Sequence, residues 1–461
     1  MSLASACAAT SYAAAPAEVQ TRLLDLVADT LAVTALGSGR AELRALVEES
    51  AVGVPEGQAT VVGSTRGWPS GTAAFLNATA VAADQLQDGH RLARGHPASH
   101  VVPAVLALAE ERDLGGDELL SAVLAGYEVG TRIGQAMGGT RSGVHDIGTW
   151  GAVAVAAAVA RLLRPSDVAA SERAIGLAAS AVQLSDAQTI FSGRTGGHAF
   201  LGTSVQLGTS LGLAAVAGLE PLDGSLERHL AAVAAHSWSS APVEVGDSWD
   251  HYEILQGYVK FHPTCAHLHG VNDAVADLLA AAREAGSRLR PEDVAEVQVR
   301  TFAAAAAFDS VADGELDARF SIPTSVAVAL VHGVLDEATL TADHVRSPAV
   351  LDLASRVRVV HDPALDAAYP DGRPAHVEVH RHDGPRLTAY ADRPRGDADR
   401  ALPHAQMRAK AFRLLIRSLG EATDVLAAVD ALGRGGTARD LGTALRAAAE
   451  SSIGVAPGGR S

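Results

Sequence analysis

The sequence predicts a mainly α protein, with a large all-helical domain built from both ends of the chain and a smaller α+β domain between them. Three observations carry that prediction. Apolar residues recur at helical spacing through the first half of the chain and again near its end. Alternation with a period of two, the mark of half-buried strands, is confined to a stretch between residues 294 and 391. Small side chains dominate, with 45 glycines, abundant alanine and only 4% aromatic residues, which suits helices packed close together. At 461 residues the chain exceeds one ordinary core. We place the helical domain at 1–255 and 400–461 and the α+β domain at 256–399.

The elements follow in order. Residues 16–36 repeat apolar positions (Val19, Leu23, Leu26, Val27, Leu31) between Pro16 and Gly37, which suits a helix start and stop. A second helix spans 42–50, and 58–63 is extended. The small-residue run 70–85 is helical and leads into a polar stretch read as a loop or helix start, 88–100. A helix over 101–111 follows, with Pro103 tolerable only in its first turn. Helix 117–137 places Glu128 and Arg132 four apart, where they pair. Residues 145–150 form a loop, 151–163 a helix smooth enough to be buried on most sides, and 171–184 another. A Gly-rich loop, 192–198, opens helix 200–217. Beyond Trp249 the pattern changes: helix 267–282, strands over 294–302, 357–361, 375–380 and 386–391, and helices 323–334 and 344–356 between the first strand and the others. Helices 404–428 and 438–449 return the chain to the first domain, and the Gly-rich tail from Pro457 is read as disordered.

Composition narrows the function. A net charge of −16 argues against nucleic acid, whose phosphates need a basic surface. The two cysteines, Cys7 and Cys265, are far apart and give no disulfide framework, which points to a reducing compartment. The N-terminus lacks the basic start and apolar core of a signal peptide. The apolar run 152–160 is too short to span a bilayer. We therefore expect a cytoplasmic protein with no membrane partner.

Three dense polar stretches interrupt this bland background. The first, Asp88 to His100, holds Asp88, His90, Arg91, Arg94, His96 and His100 within thirteen residues. Imidazole titrates near neutral pH, so a histidine beside a carboxylate is suited to acid–base work. The second contains His145. The third runs from Tyr258 to His269 and contains Lys260, His262, Cys265, His267 and His269. One cysteine and three histidines in that stretch resemble zinc ligands. The usual spacing has no second half elsewhere, however, and His267 enters a helix, so no metal is expected. Lys260 is the better working group, with the imidazoles as anion contacts. Of 37 basic residues only Lys260 and Lys410 are lysine, so a lysine kept in a motif signals a compact or deprotonatable ammonium. The loop 192–198 fits neither the P-loop nor the dinucleotide fingerprint. The isolated His229, His236, His332, His361 and His382 are read as structural.

Taken together, Leu23 to Leu31, Asn77-Ala78-Thr79-Ala80, Gly95-His96-Pro97, Gly126-Tyr127-Glu128-Val129, His145 to Gly151, Ala318 to Pro323 and Arg393-Pro394-Arg395-Gly396 resemble the MmgE/PrpD family in order and spacing. That family includes 2-methylcitrate dehydratase, cis-aconitate decarboxylase and iminodisuccinate epimerase. The resemblance implies the two-domain fold above, a homodimer, and cofactor-free chemistry on small di- or tricarboxylates. By position it makes His96 a substrate or acid–base residue, His145 a second pocket histidine and Lys260 the lysine at the domain junction. Two departures stand out. The family's acidic pair falls on Gln85-Leu86-Gln87-Asp88, where only Asp88 remains, with Asp84 as a stand-in. The family's other active-site lysine falls near His198, where His198 or Arg194 replaces its charge.

The expectation is a dehydratase-like lyase that abstracts a proton next to a carboxylate. Asp88, His90, His96, His145 and Lys260 are its catalytic candidates, and Arg91, Arg94, Arg194, His198 and His262 its substrate contacts. An epimerase or decarboxylase sharing the carbanion is the alternative. So is a diverged member recruited to a biosynthetic step or to binding alone.

Overall fold

A computed structural model describes residues 3–246, 248–286 and 289–454. The disordered-tail expectation and the first two residues lie outside that range. The centre of the helical body is helix Trp150–Leu163, in which residues 150–162 are all buried. Nine of its fourteen residues are alanine or valine, so neighbours can approach its backbone. Helix Gly116–Ala136 does so through Gly126 and Gly130. A Cβ at Gly130 would lie 2.5 Å from that of Ala154. Helix Gly196–Val216 packs on another side through Gly208 and Gly212, where a Cβ would press on Val155 and Val159. Helices Asp146–Leu163 and Gly196–Val216 are long and apolar enough to cross a membrane by composition, but the first is 89% buried inside the protein.

Helix His404–Leu419 packs on helix Ala17–Ser38, and helix Ala438–Gly454 on helix Pro97–Arg112. The α+β unit is built on a four-stranded sheet in the order Leu387–Ala391, Ala375–Arg381, Val294–Thr301, Val357–His361. Only the last pair is parallel. Helices His269–Glu284 and Ile322–His332 pack with it.

Several expectations are corrected. A helix over Leu3–Ala9 precedes those read from the sequence. The helix expected at 101–111 starts at Pro97, so Pro103 sits in its interior, where it leaves the Ser99 carbonyl without its usual N–H donor. The stretch 404–428 is two helices, His404–Leu419 and Thr423–Leu432, divided at Gly420 (φ +73°). Pro348 likewise splits 344–356 into Ala342–Val345 and Pro348–Ser355.

Candidate active site

The three polar stretches meet in one cavity of about 90 Å³ between the helical body and the α+β unit. The first two segments of backbone to consider are very short. Asp88–His90 pairs antiparallel with Gly257–Val259, Asp88 facing Val259. This pairing delivers Lys260 to the cavity wall. Downstream of His90 the chain turns back on itself: the His90 N–H donates to the Gly95 carbonyl at 2.8 Å, with Arg94 in a left-handed turn (φ +55°). His96 therefore ends beside Asp88, as the N-cap of helix Pro97–Arg112.

His96 Nδ1 lies 2.6 Å from the Asp88 carbonyl oxygen. Only a protonated Nδ1 can make that contact, so the Nε2 lone pair is left for the cavity. Burial, and next the Lys260 ammonium, hold this imidazole well below its ordinary pKa. It is neutral at pH 7 and able to accept a proton.

Lys260 is 1% exposed. Its Nζ donates to Gln85 Oε1 at 3.2 Å, and Gln85 adopts a left-handed backbone (φ +50°) to offer it. Burial brings this lysine down to about 7, with no carboxylate among the described residues in contact to oppose it. The chain's other lysine, Lys410, donates to the next residue's carbonyl, Leu86 O, at 3.0 Å and pairs with buried Asp29 at 2.8 Å. Both lysines of the chain thus converge on residues 85–86.

His145 enters through a two-residue strand paired with Ser185–Asp186. Its Nδ1 accepts from the Ile147 N–H at 3.2 Å and lies 3.1 Å from Asp146 Oδ1. Its ring meets Phe191 edge-on. His100, buried behind, bridges the first two stretches: its ring nitrogens lie 2.8 Å from the His96 carbonyl and 2.9 Å from that of Ile147.

Of the ten residues singled out in the sequence, His96, His145, Lys260, Arg94, Arg194 and His198 line the cavity. Burial takes His198 down to about 4. The other four do not line it. The Asp88 carboxylate turns into the helix, accepting from the Ala98 and Ser99 N–H groups and the Ser99 hydroxyl, so it caps helix Pro97–Arg112 and does not pair with His96. His90 lies 3.1 Å from Glu253 and accepts from the Ala93 N–H. Arg91 pairs with Asp371 and Asp397 of the α+β unit. His262 lies between Asp273 at 3.0 Å and the Leu335 carbonyl at 3.2 Å. Asp84, the stand-in carboxylate, is held by Arg40 and Arg319. His262, Cys265, His267 and His269 do not converge: His269 turns to the Thr264 carbonyl, and Cys265 and His267 face each other at 3.4 Å.

Sequence reasoning did not place the wall residues Gln85, Gln87, Asp146, Tyr369 and Arg373 in the site, and it weighed His267 only as a metal ligand or anion contact. His267 stacks on Phe308 and lies 3.4 Å from the Tyr369 hydroxyl. Arg373 is 5% exposed and 3.8 Å from Asp397. Tyr369 and Arg373 lie between the strands Val357–His361 and Ala375–Arg381, and their one local signal is the turn Asp371-Gly372-Arg373. Among the described residues the wall therefore carries four permanent or titratable cations (Lys260, Arg94, Arg194, Arg373), four imidazoles (His96, His145, His198, His267) and a single carboxylate, Asp146. Such a wall attracts an anion.

Comparison with known sequences identifies the family. The MmgE/PrpD N-terminal domain profile matches residues 1–236 and the C-terminal domain profile residues 262–433. The chain belongs to the MmgE/PrpD family. Cis-aconitate decarboxylase of Aspergillus terreus strain NIH 2624 is 26% identical over 415 residues, covering 83% of this chain and 82% of that protein. The cis-aconitate decarboxylase-like protein oryM of Aspergillus oryzae is 34% identical over 175 residues, 35% of this chain and 36% of that protein. MmgE/PrpD membership supports a dehydratase- or decarboxylase-like lyase.

Proposed function

We propose that this protein is a cofactor-independent lyase that removes a proton next to a carboxylate of a small polycarboxylate substrate. The observation that carries the reading is the pairing of a neutral His96, its Nε2 lone pair free, with a cavity wall of four cations and one carboxylate. A C–H beside a carboxylate is a weak acid, because its removal creates a dianion. Cations fixed in a closed site stabilise that charge where water would otherwise have to reorganise. Arg373 and Arg194 hold the substrate carboxylates. His96 Nε2 takes the proton, and the C–H electron pair moves into the enediolate beside the Lys260 ammonium. The pair then returns to expel a leaving group from the neighbouring carbon. The imidazolium formed at His96 returns the abstracted proton to that group, so the base is regenerated as the group leaves.

Decarboxylation is the second reading, favoured by the Aspergillus relatives named for it. Loss of carbon dioxide leaves the same kind of carbanion, and the Lys260 ammonium then delivers a proton to carbon.

The test is incubation with citrate, 2-methylcitrate, cis-aconitate and iminodisuccinate in heavy water, followed by NMR. Deuterium next to a carboxylate together with an alkene product supports elimination. Deuterium in a product one carbon shorter supports decarboxylation, and wash-in without loss of a group supports epimerisation. An unlabelled alkene is elimination without return of the proton; neither label nor product from any of the four overturns the lyase reading for this substrate class and leaves binding alone.

A further inference from the structure

A second cavity of about 230 Å³ adjoins the first and shares six wall residues with it, among them Arg94, His145, Asp146 and Tyr369. Its remaining wall is mostly small or apolar: Ala93, Met137, Val144 and Ala187, with three glycines. The glycines matter. A Cβ at Gly139 would lie 2.4 Å from the Arg94 guanidinium, one at Gly134 would lie 2.9 Å from Trp150 Nε1, and one at Gly143 would meet nothing within 4 Å. The chain thus leaves open, beside the reaction cavity, a larger space than that cavity itself.

Three polar atoms of this wall stand out. Trp150 Nε1, Arg94 Nε and Asp146 Oδ2 are buried on this wall and have no hydrogen-bond partner among the described residues, and Trp150 is only 1% exposed. Such groups buried without partners are costly, so their placement calls for a ligand atom or a solvent atom opposite them. Two are donors and one is an acceptor. One wall charge is positive and one negative, so the annex favours a neutral group over a further carboxylate.

We infer that this annex is a substrate subsite that takes a neutral arm of several carbons ending in a group that both accepts and donates a hydrogen bond, an alcohol or a primary amide. The inference rests on the carboxylate reading above: the charged end of the substrate occupies the reaction cavity and the arm passes Arg94 and Tyr369 into the annex. The substrate is then larger than an unsubstituted tricarboxylate.

Calorimetric binding to the full chain tests it with four probes: succinate and its 2-propyl, 2-(3-hydroxypropyl) and 2-(2-carboxyethyl) derivatives. The hydroxypropyl compound is expected to bind at least tenfold more tightly than succinate and more tightly than the propyl compound, with the carboxyethyl compound weakest of the three substituted probes. Trp150→Phe keeps an aromatic ring without the N–H and should erase the hydroxypropyl advantage over propyl. Ala187→Phe fills the annex and should bring all substituted probes to or below succinate, with a thermal melt confirming that each variant is folded. Equal affinity of the four probes, or an undiminished hydroxypropyl advantage in folded Ala187→Phe, overturns the subsite and leaves the carboxylate reading intact. No binding of any probe, succinate included, overturns both.

Discussion

The chemistry of this protein turns on which atoms of His96 and Lys260 are free. His96 spends Nδ1 on a backbone carbonyl, which fixes its tautomer and leaves one nitrogen for proton transfer. His96→Gln should lower turnover about 100-fold or more, the usual span of a lost general base, with an unchanged thermal melt. A variant as active as the parent would remove His96 from the proton path. Lys260 makes a pH prediction. It faces a neutral amide and burial lowers it to about 7, so its ammonium is lost as pH rises through that value. If the ammonium stabilises the dianion, kcat falls above about pH 7. Gln85→Glu, which puts a carboxylate against Lys260, should carry that alkaline limb to higher pH. A rate that rises through pH 7 would make Lys260 the base and His96 its partner. At this scale the sequence was legible in part. Clusters of His, Arg and Lys in an Ala-rich background marked the right segments. The direction of each side chain was not legible, because Asp88 and His96 are neighbours in space through a carbonyl and not through the carboxylate.

Short elements decide the site's geometry. Asp88–His90 and Gly257–Val259 are three-residue strands, too brief to show a period of two, so the pairing that presents Lys260 could not be read from pattern. The helices were readable because they are long and periodic, whereas Leu3–Ala9 is too short and too uniformly small to show a face. The Asp88 carboxylate serves the start of helix Pro97–Arg112 through three hydrogen bonds. Asp88→Ala should therefore cost about 2 kcal/mol in denaturant unfolding, the scale of a lost cap, while Asp88→Asn recovers part of it. Proton exchange measured on the folded Asn variant should be nearly that of the parent. A folded Asp88→Asn that fails at exchange would return the carboxylate to the chemistry. Burial also lifts the Asp88 acid to about 6, so its protonation favours the folded state below the ordinary carboxylate range, and that contribution is lost as pH rises through 6. The glycines of helix Gly116–Ala136 add a second constraint. Gly130→Val should force helix Trp150–Leu163 away, by the 2.5 Å approach to Ala154, and destabilise the fold by about 1–3 kcal/mol. Wild-type stability in that variant would show that the two helices have slack.

For the molecule as a whole, the site is made where two bodies are tied together by buried arginines. The sequence showed two kinds of periodicity and so two bodies, but ion pairs between residues hundreds of positions apart leave no local trace. Arg319, 1% exposed, joins three parts of the chain: its guanidinium donates to the Asp84 carbonyl and carboxylate, to the Pro263 carbonyl and to Glu315. Asp84 follows helix Ser70–Val81 and precedes Gln85, and Pro263 follows Lys260, so this one guanidinium fixes both sides of the Lys260–Gln85 contact. Two charges taken out of water gain little over an apolar pair, but removing one partner strands the other. Asp84→Ala removes the buried one of the two carboxylates that Arg319 and Arg40 share, leaving them Glu315 alone, and should cost about 3 kcal/mol in denaturant unfolding. The double variant Asp84→Ala with Arg319→Met should recover part of that loss, since no stranded charge remains at Arg319. It should nevertheless stay poorly active, because Gln85 and Lys260 lose their common anchor. Full activity in the folded double variant would show that the two bodies are aligned by their packing alone and that the arginine serves stability only.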